Sequence, residues 1–306
     1  MRARVEVVKG DTLSSVAEKL ERAGIIDNAL MFKMEARMGG NEDTQIKTGE
    51  YTLKRGEDSD KILAKLTAGV ATPVLEITVP EGLDLEQTAL RVSRQSDVSS
   101  AQFEEAARRT DYGYGFLEDP AIKSTEGFLF PKKYEFEEGT TAPQMVTRML
   151  EQYLLETQTL DISGAKERLN LTEYELVTVA SLIEKEAASP EERPLVASVI
   201  YNRIRKDMPL QIDATVLYAL DYPKGELSLA DLRVDSPYNT YENTGLPPGP
   251  ICSPGRQSLE AAINPAETDY LYYVLKASGE EHYFTNNYND FLVAKEKRDA
   301  SMAVRH

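Results

Sequence analysis

The chain has 306 residues, enough for about two domains of ordinary size. Its formal net charge is -16, from 35 basic and 51 acidic residues, which argues against a nucleic-acid partner but not against a neutral sugar polymer. A single cysteine excludes an intrachain disulfide. Because the whole chain has only two histidines in addition to that cysteine, a zinc cluster is not expected.

The first residues of the chain carry no recognisable targeting signal. The start, MRARVEVVKGD, lacks the apolar core of a signal peptide, and no run of about 20 apolar residues occurs that could span a bilayer. We therefore expect either a cytosolic protein or a chain from which an export or anchoring segment has been removed. Composition does not choose between these two possibilities.

The N-terminal third contains a weak internal repeat of strand, glycine turn and helix over residues 5–20, 51–66 and 77–92. Counted from Gly10, Gly56 and Gly82, the sixth, seventh and tenth positions are apolar or small, which predicts a buried stripe on one helix face. Asp11 and Asp58 stand where helix N-caps are expected. Generic βα architecture would produce the same pattern.

Regular helices are predicted where apolar residues recur with helical spacing, over residues 142–157, 172–187 and 189–206. The segment 126–136 is rich in aromatic residues and broken by Pro131, so we expect a strand or loop there. Residues 236–259 are rich in proline and glycine and cannot form a regular element. Strands are expected again over residues 269–278 and 281–291.

Two glutamates, Glu184 and Glu186, stand at the end of the helix predicted over 172–187. They lie about 200° apart around the helix, so only one of them can face a given cleft. A glutamate rimmed by apolar side chains loses solvent, which raises its pKa and makes it a candidate general acid. Two solvated glutamates at a helix end would produce the same pattern, and the residue types alone favour that alternative.

The proline- and glycine-rich segment is the second candidate for a site. A rigid loop that holds Tyr238 and Asn239 offers a hydroxyl, an amide and an aromatic face, which suit sugar hydroxyls, acetamides and pyranose rings. A structural surface loop is the alternative. Asp213 is either a second carboxylate or a helix N-cap, and the cap is favoured. Cys252 is expected to be inert packing, and His282 a hydrogen-bonded structural residue.

From residue 126 onward a series of motifs follows in a fixed order: EGFLFP (126–131), SLIEKEA (181–187), VASVIYNRI (196–204), LQIDATVLYAL (210–220), SPYNTY (236–241), GLPPGPI (245–251), YLYYV (270–274) and HYFTNN (282–287). This set resembles the endolytic murein transglycosylase family, also called MltG or YceG-like. The resemblance extends over about residues 5–295 and is looser in the N-terminal third.

The resemblance implies a reaction and an architecture. The family cleaves the β-1,4 bond between N-acetylmuramic acid and N-acetylglucosamine in nascent peptidoglycan strands without water, which leaves 1,6-anhydromuramoyl ends and terminates glycan elongation. The implied fold is α+β: a small LysM-like βα module (1–72), a second βα unit and connecting region (73–140), and a mostly helical lysozyme-like catalytic region with edge strands (141–306). No cofactor and no metal are implied.

The resemblance also implies roles for individual residues. The catalytic glutamate of the family is the second of the EKE triplet, Glu186 here, which leaves Glu184 as a structural or helper residue. The residues expected to bind substrate are Gln211, Asp213, Tyr238 and Asn239, with Glu126 and Tyr201 as further candidates.

The implied partners are peptidoglycan glycan strands, with peptidoglycan synthases as candidate protein partners. Members of the family act at the extracytoplasmic face of the bacterial cytoplasmic membrane, in which an N-terminal helix anchors them. We expect that helix to have been removed from this chain. Two other functions stay open. One is a non-catalytic peptidoglycan-binding scaffold protein, and the other is a hydrolytic muramidase that uses Glu186 together with Asp213.

Overall fold

The computed structural model describes residues 2–38, 46–70, 74–221 and 227–304. The chain divides into two compact units, Met1–Pro73 and Val74–His306. The described residues contain helices and small antiparallel sheets, which confirms the predicted α+β class. The three-part division predicted from the sequence stays a prediction, and its first boundary falls within residues 71–73, outside the described residues. None of the described helices is long and apolar enough to cross a membrane.

The described part of the first unit is a strand pair with helices packed on it: β1 (Arg2–Val7), α1 (Leu13–Arg22), α2 (Ala29–Met38), β2 (Gly49–Lys54) and α3 (Ser59–Ala68). The strands are antiparallel, with Val5 opposite Tyr51. Both residues are buried together with Phe32 and the apolar faces of α1 and α3. The first unit therefore has a hydrophobic core of its own.

The second unit is mostly helical: β3 (Val74–Thr78), α4 (Leu85–Ser93), α5 (Ser100–Ala107), β4 (Lys133–Glu137), α6 (Ala142–Thr157), α7 (Ile162–Leu169), α8 (Glu173–Glu186), α9 (Arg193–Arg205), α10 (Asp213–Leu220), α11 (Arg256–Ile263), β5 (Tyr272–Leu275), β6 (His282–Thr285) and α12 (Tyr288–Val304). Strand β3 pairs antiparallel with β4, and β5 pairs antiparallel with β6. The strand or loop expected over 126–136 thus contains most of β4.

The stripe predicted from the internal repeat is confirmed. Every residue at the sixth, seventh and tenth positions is buried: Val16, Ala17, Leu20, Ile62, Leu63, Leu66, Thr88, Ala89 and Val92. The glycines from which these positions are counted have φ angles of 97°, 66° and 78° at Gly10, Gly56 and Gly82. That is the left-handed region, which glycine adopts without the steric cost of a Cβ atom.

The two predicted helix caps have different outcomes. The side chain of Asp58 accepts a hydrogen bond from the backbone N–H of Asp60, so this residue caps α3 as predicted. The prediction for Asp11 is wrong, because Thr12 is the N-cap of α1. Asp11 instead forms an ion pair with Lys19 at 2.6 Å. Either of two adjacent polar residues, Asp11 or Thr12, could be the N-cap of α1, and the sequence alone does not show at which residue the helix begins.

Helix α8 is the centre of the second unit, because every residue from Leu176 to Ile183 is buried. It packs against α7, α9, α10 and α11. A helix buried on all sides has no polar face until it leaves the core. Its last three residues, Glu184, Lys185 and Glu186, mark that exit, and this places two carboxyls at the edge of the core.

The loop formed by residues 236–251 is packed directly on this helix. The N–H of Ile251 donates to the Oγ of Ser181 at 3.1 Å. At Gly127 a Cβ atom would lie 2.5 Å from the Cγ of Pro250 and 2.9 Å from Val177, so the close approach of the loop requires glycine there. The loop is consequently a fixed wall beside the end of α8.

Candidate active site

Glu186 is the last residue of α8, and its half-buried side chain meets strand β5. Its Oε2 accepts a hydrogen bond of 2.8 Å from the Oη of Tyr273. Burial raises the pKa of Glu186, and the nearby Asp213 adds to the rise, whereas the Tyr273 bond opposes it. The net rise keeps the carboxyl protonated to a higher pH than usual, as a general acid requires.

Arg203 holds together the segments that surround this carboxyl. Its buried guanidinium donates to the carbonyl oxygens of Leu271 (2.7 Å) and Leu210 (2.6 Å), and lies 5.5 Å from the ring centroid of Tyr272. These bonds join α9 to the segment before β5 and to the segment before α10. Arg203 therefore brings Tyr273 and the start of α10 to the end of α8.

Two of the predicted substrate residues, Gln211 and Asp213, lie just before and at the start of α10, and both are exposed. Asp213 is the first helical residue, and its Oδ1 accepts a 2.5 Å hydrogen bond from the Oη of Tyr241. The N-cap position belongs to Ile212, so the favoured interpretation of Asp213 as an N-cap is wrong. Gln211 has a φ of 53°, and such non-glycine backbone strain is found preferentially at functional sites.

An aromatic wall continues along the same helix. The half-buried rings of Tyr218 and Tyr238 lie 4.8 Å apart between centroids, at an angle of 50°. Tyr218 follows Asp213 by five residues, which is about 7.5 Å along the axis of α10. Tyr238, predicted to stack on a sugar ring, thus lies farther along α10 than the Asp213 carboxylate.

Two other predicted substrate residues are buried and already bonded within the protein. The amide of Asn239, which is 0% exposed, donates to the carbonyl oxygens of Leu232 and Val234 at 3.0 and 2.9 Å. The Oη of Tyr201 donates to the carbonyl of Ala262 at 2.7 Å. Their positions do not support contact with a sugar. Asn239 orders the loop, and Tyr201 ties α9 to α11.

Glu126 is also buried, at 6% exposure, and its position does not support sugar contact either. Its carboxyl accepts hydrogen bonds from the N–H of Leu85 at 2.8 Å and from the N–H of Gly127 at 3.2 Å. Burial raises its pKa to about 8. Glu126 therefore accepts the hydrogen bond of the first backbone N–H of α4. Its carboxyl is largely protonated, and so neutral, near pH 7.

Glu184, on the other side of α8, belongs to the framework. Its Oε2 accepts hydrogen bonds from the N–H of Gly255 at 3.0 Å and from the Oγ of Ser258 at 2.7 Å, and Arg193 lies 3.5 Å from Oε1. Gly255 is the N-cap of α11, so the carboxylate lies where the helix dipole favours negative charge.

We expect Glu184→Ala to lower the free energy of unfolding by about 2 to 3 kcal/mol, because it leaves the buried N–H of Gly255 and the hydroxyl of Ser258 without this acceptor and removes the ion pair with Arg193. Urea denaturation followed by circular dichroism measures the change. The exposed Glu191→Ala is the matched control and should stay within about 0.5 kcal/mol of the wild type. Equal stabilities of the two variants would remove Glu184 from the framework.

Sequence reasoning missed Tyr273 and Arg203, and although Tyr241 belongs to the loop predicted to offer hydroxyls, its bond to Asp213 was not predicted. Each lies within one of the quoted motifs, but no spacing rule shows which tyrosine of YLYYV or SPYNTY reaches a carboxyl. The expectation that His282 is hydrogen-bonded is confirmed by its 2.8 Å contact with Glu192, and Cys252 is buried as expected. Among the described residues, no cluster of three or more side chains suited to a metal ion was found.

Comparison with known proteins gives matches over nearly the whole chain. The YceG-like family matches residues 5–297. An endolytic murein transglycosylase of Bacillus subtilis is 36% identical over 308 residues, which cover 96% of this chain and 84% of that protein. One of Streptococcus pneumoniae is 35% identical over 314 residues, and the match covers 94% of this chain but 56% of the longer pneumococcal protein.

The architecture is shared with a solved structure as well. A crystal structure of a YceG-like protein from Listeria monocytogenes superposes with a TM-score of 0.64 at 32% sequence identity. The superposition covers 94% of this chain and 97% of the other.

Proposed function

The chain belongs to the YceG-like family, and on that premise we propose that it is an endolytic murein transglycosylase whose acid and base is the single carboxyl of Glu186. It cleaves the β-1,4 bond between N-acetylmuramic acid and N-acetylglucosamine in nascent strands, leaves 1,6-anhydromuramoyl ends and so terminates glycan elongation. The observation that carries the residue assignment is the half-buried Glu186 carboxyl, with its raised pKa and its bond to Tyr273.

In the first step Glu186 is a general acid. Because the Oη of Tyr273 occupies Oε2, the proton is carried by Oε1 and passes to the glycosidic oxygen as the bond from that oxygen to C1 breaks. Positive charge develops on the muramic acid ring. The carboxylate of Asp213, held by Tyr241, lies close enough to act on Glu186 and stabilises that charge.

In the second step the same residue is a base. The Glu186 carboxylate takes the proton of the C6 hydroxyl while that oxygen attacks C1, which closes the 1,6-anhydro ring. The enzyme recovers its proton and no water is consumed. Attack within one sugar ring needs no second reactant to be positioned, which lowers its entropic cost. One carboxyl is therefore sufficient, whereas hydrolytic glycosidases normally use two.

The substrate contacts are assigned to the exposed side of the site. Gln211 and Asp213 orient the sugar next to the cleaved bond, and Tyr238 stacks on a neighbouring ring. The buried residues have other tasks and do not touch the glycan: Asn239 orders the loop, Glu126 bonds the start of α4, and Tyr201 ties α9 to α11. The support for this division is the exposed or half-buried state of the first group and the buried state of the second.

The finer architecture and the cellular setting are part of the proposal. The first unit is a LysM-like βα module, supported by its glycine turns and buried stripes, and the second contains a lysozyme-like catalytic region. An enzyme of this kind works outside the cytoplasm, since its substrate lies there. We assign it to the outer face of the cytoplasmic membrane, with glycan strands as substrate and peptidoglycan synthases as partners.

Mass spectrometry of uncrosslinked nascent strands after incubation with the protein tests the reaction. We expect anhydromuramoyl ends. Reducing ends would instead indicate a muramidase, for which the second carboxylate at Asp213 is available, and Asp213→Asn would then abolish cleavage. For the transglycosylase, Asp213→Asn should still produce anhydro ends at a lower rate. Absence of cleavage by folded protein would favour the scaffold alternative.

A further inference from the structure

A buried pair of polar side chains lies behind the tyrosine that holds Glu186. The Nδ1 of His282, on β6, is 2.8 Å from the Oε2 of Glu192, and the backbone N–H of His282 donates to Oε1 of the same carboxyl. The side chains are only 11% and 9% exposed. Neither of these two contacts between His282 and Glu192 takes part in the acid or the base step of the proposed reaction.

The ring of His282 is in direct contact with Tyr273. The two ring centroids are 5.3 Å apart at an interplanar angle of 86°, so the imidazole meets the phenol edge to face. Phe284, two residues along β6 and therefore on the same face, lies 5.8 Å from the Tyr273 ring. The phenol is thus held from two sides while its hydroxyl reaches Glu186.

We propose that the Glu192–His282 pair is a positioning device for Tyr273, and that it acts through Tyr273 to decide which oxygen of Glu186 carries the proton. His282 and Glu192 are positioning residues and do not touch the glycan. This inference rests on the proposed function.

The physical argument concerns the direction of one hydroxyl. Rotation of the Tyr273 ring by a small angle would break the 2.8 Å bond to Oε2, because a hydrogen bond weakens steeply with distance and angle. Glu192 fixes both the backbone and the ring of His282, and His282 restricts the ring of Tyr273. Without that restriction either oxygen of Glu186 could carry the proton, and only Oε1 faces the glycosidic oxygen in the proposed mechanism.

The pKa of Glu186 reports the same geometry. The charged or titratable groups that act on it are Tyr273 from β5, Asp213 from α10, His282 from β6 and Arg203 from α9. The Tyr273 bond lowers the pKa, so its loss should raise the pKa. Since the acid must be protonated, the basic limb of the kcat profile should then move to higher pH.

A double-mutant cycle between His282→Asn and Tyr273→Phe tests the inference. Asparagine can keep a bond from its amide to Glu192 but has no ring to restrain Tyr273. We expect each single variant to lower kcat about tenfold with KM changed less than about twofold, and the double variant to be no slower than Tyr273→Phe alone. Both single variants should shift the basic limb upward, and the shift in the double variant should be smaller than the sum of the two, because His282 lowers the pKa of Glu186 directly as well as through Tyr273.

Two results would overturn the proposal. The first is a wild-type kcat in His282→Asn. The second is a loss of about a hundredfold in the double variant, the product of the two single effects, which would mean that His282 acts independently of Tyr273. Tyr283→Phe, on the exposed face of β6, is the matched control and should keep wild-type kcat. Thermal unfolding of all variants separates loss of fold from loss of positioning.

Failure of the proposed function would be recognised separately. If the wild type makes no anhydro ends, the transglycosylase assignment falls, but a carbon NMR titration of the Glu186 carboxyl still tests the positioning. An upward pKa shift is expected for His282→Asn in the protein without glycan, and a smaller one when the same substitution is made in Tyr273→Phe, where only the direct effect of His282 on Glu186 remains. Equal shifts in the two backgrounds would contradict the inference. An unchanged pKa in His282→Asn would contradict the inference whatever the products are.

Discussion

Glu186→Gln is expected to lower kcat for anhydro-end formation by about 10³- to 10⁴-fold. The amide can neither donate the proton that releases the glycosidic oxygen nor take the proton of the C6 hydroxyl, so both steps lose their catalyst. The amide oxygen can still accept the bond from Tyr273, and glutamine has nearly the same size as glutamate, so we expect the fold to be retained. Product counts by mass spectrometry over a time course measure the loss.

The neighbouring glutamate on the same helix turn is the matched control. Glu184→Gln should lose stability, because its carboxylate serves the start of α11, but the folded fraction should keep kcat within about threefold of the wild type, since this residue is outside the reaction. Activity above a tenth of the wild type in Glu186→Gln would remove the assignment. A kcat loss of equal size in both variants would point to disturbance of the helix end rather than to acid catalysis.

The stability of the protein should fall as pH rises from 5 to 8, and Glu126→Gln should remove most of that fall. The folded carboxyl of Glu126 keeps its proton up to about pH 8, whereas the unfolded one loses it near 4.5. The folded state therefore binds more protons between these values, and the free energy of unfolding decreases with pH throughout the window. The shift corresponds to about 3 to 4 kcal/mol between pH 5 and pH 8.

Urea unfolding at a series of pH values measures this dependence. Glutamine resembles the protonated form, so Glu126→Gln should match the wild type at pH 5 and exceed its stability at pH 8. The exposed Glu137→Gln serves as control and should follow the wild-type curve. Burial also raises the pKa of Glu186, Glu81 and Asp84, so a smaller slope of the same sign should remain in the variant. Parallel curves for wild type and Glu126→Gln would mean that this carboxyl is not neutral at pH 7.

Local patterns in the sequence were sufficient for most elements of the fold. Apolar spacing predicted helix α6 with the bounds that the structure has, and helix α8 within one residue at each end. The three glycine turns were predictable because each needs a conformation that glycine adopts at low cost. A less exact case is the helix expected from residue 189, which starts as a 3-10 turn at Pro190–Glu192 before α9 begins at Arg193.

By itself the sequence determined where helices and turns form, which faces of them are apolar, and that α8 ends with two glutamates on different sides. Those properties depend on residues three to ten positions apart. Only the tertiary structure decided the environment of each carboxyl, because Tyr273 comes to Glu186 from 87 residues away and Ser258 comes to Glu184 from 74 residues away. For the same reason the sequence could not distinguish Asp213, exposed at the start of α10, from Glu126 and Asn239, which are buried by distant segments. Solvation and hydrogen-bond partners determine what a carboxyl can do, and both are set by packing between parts of the chain that no local pattern connects.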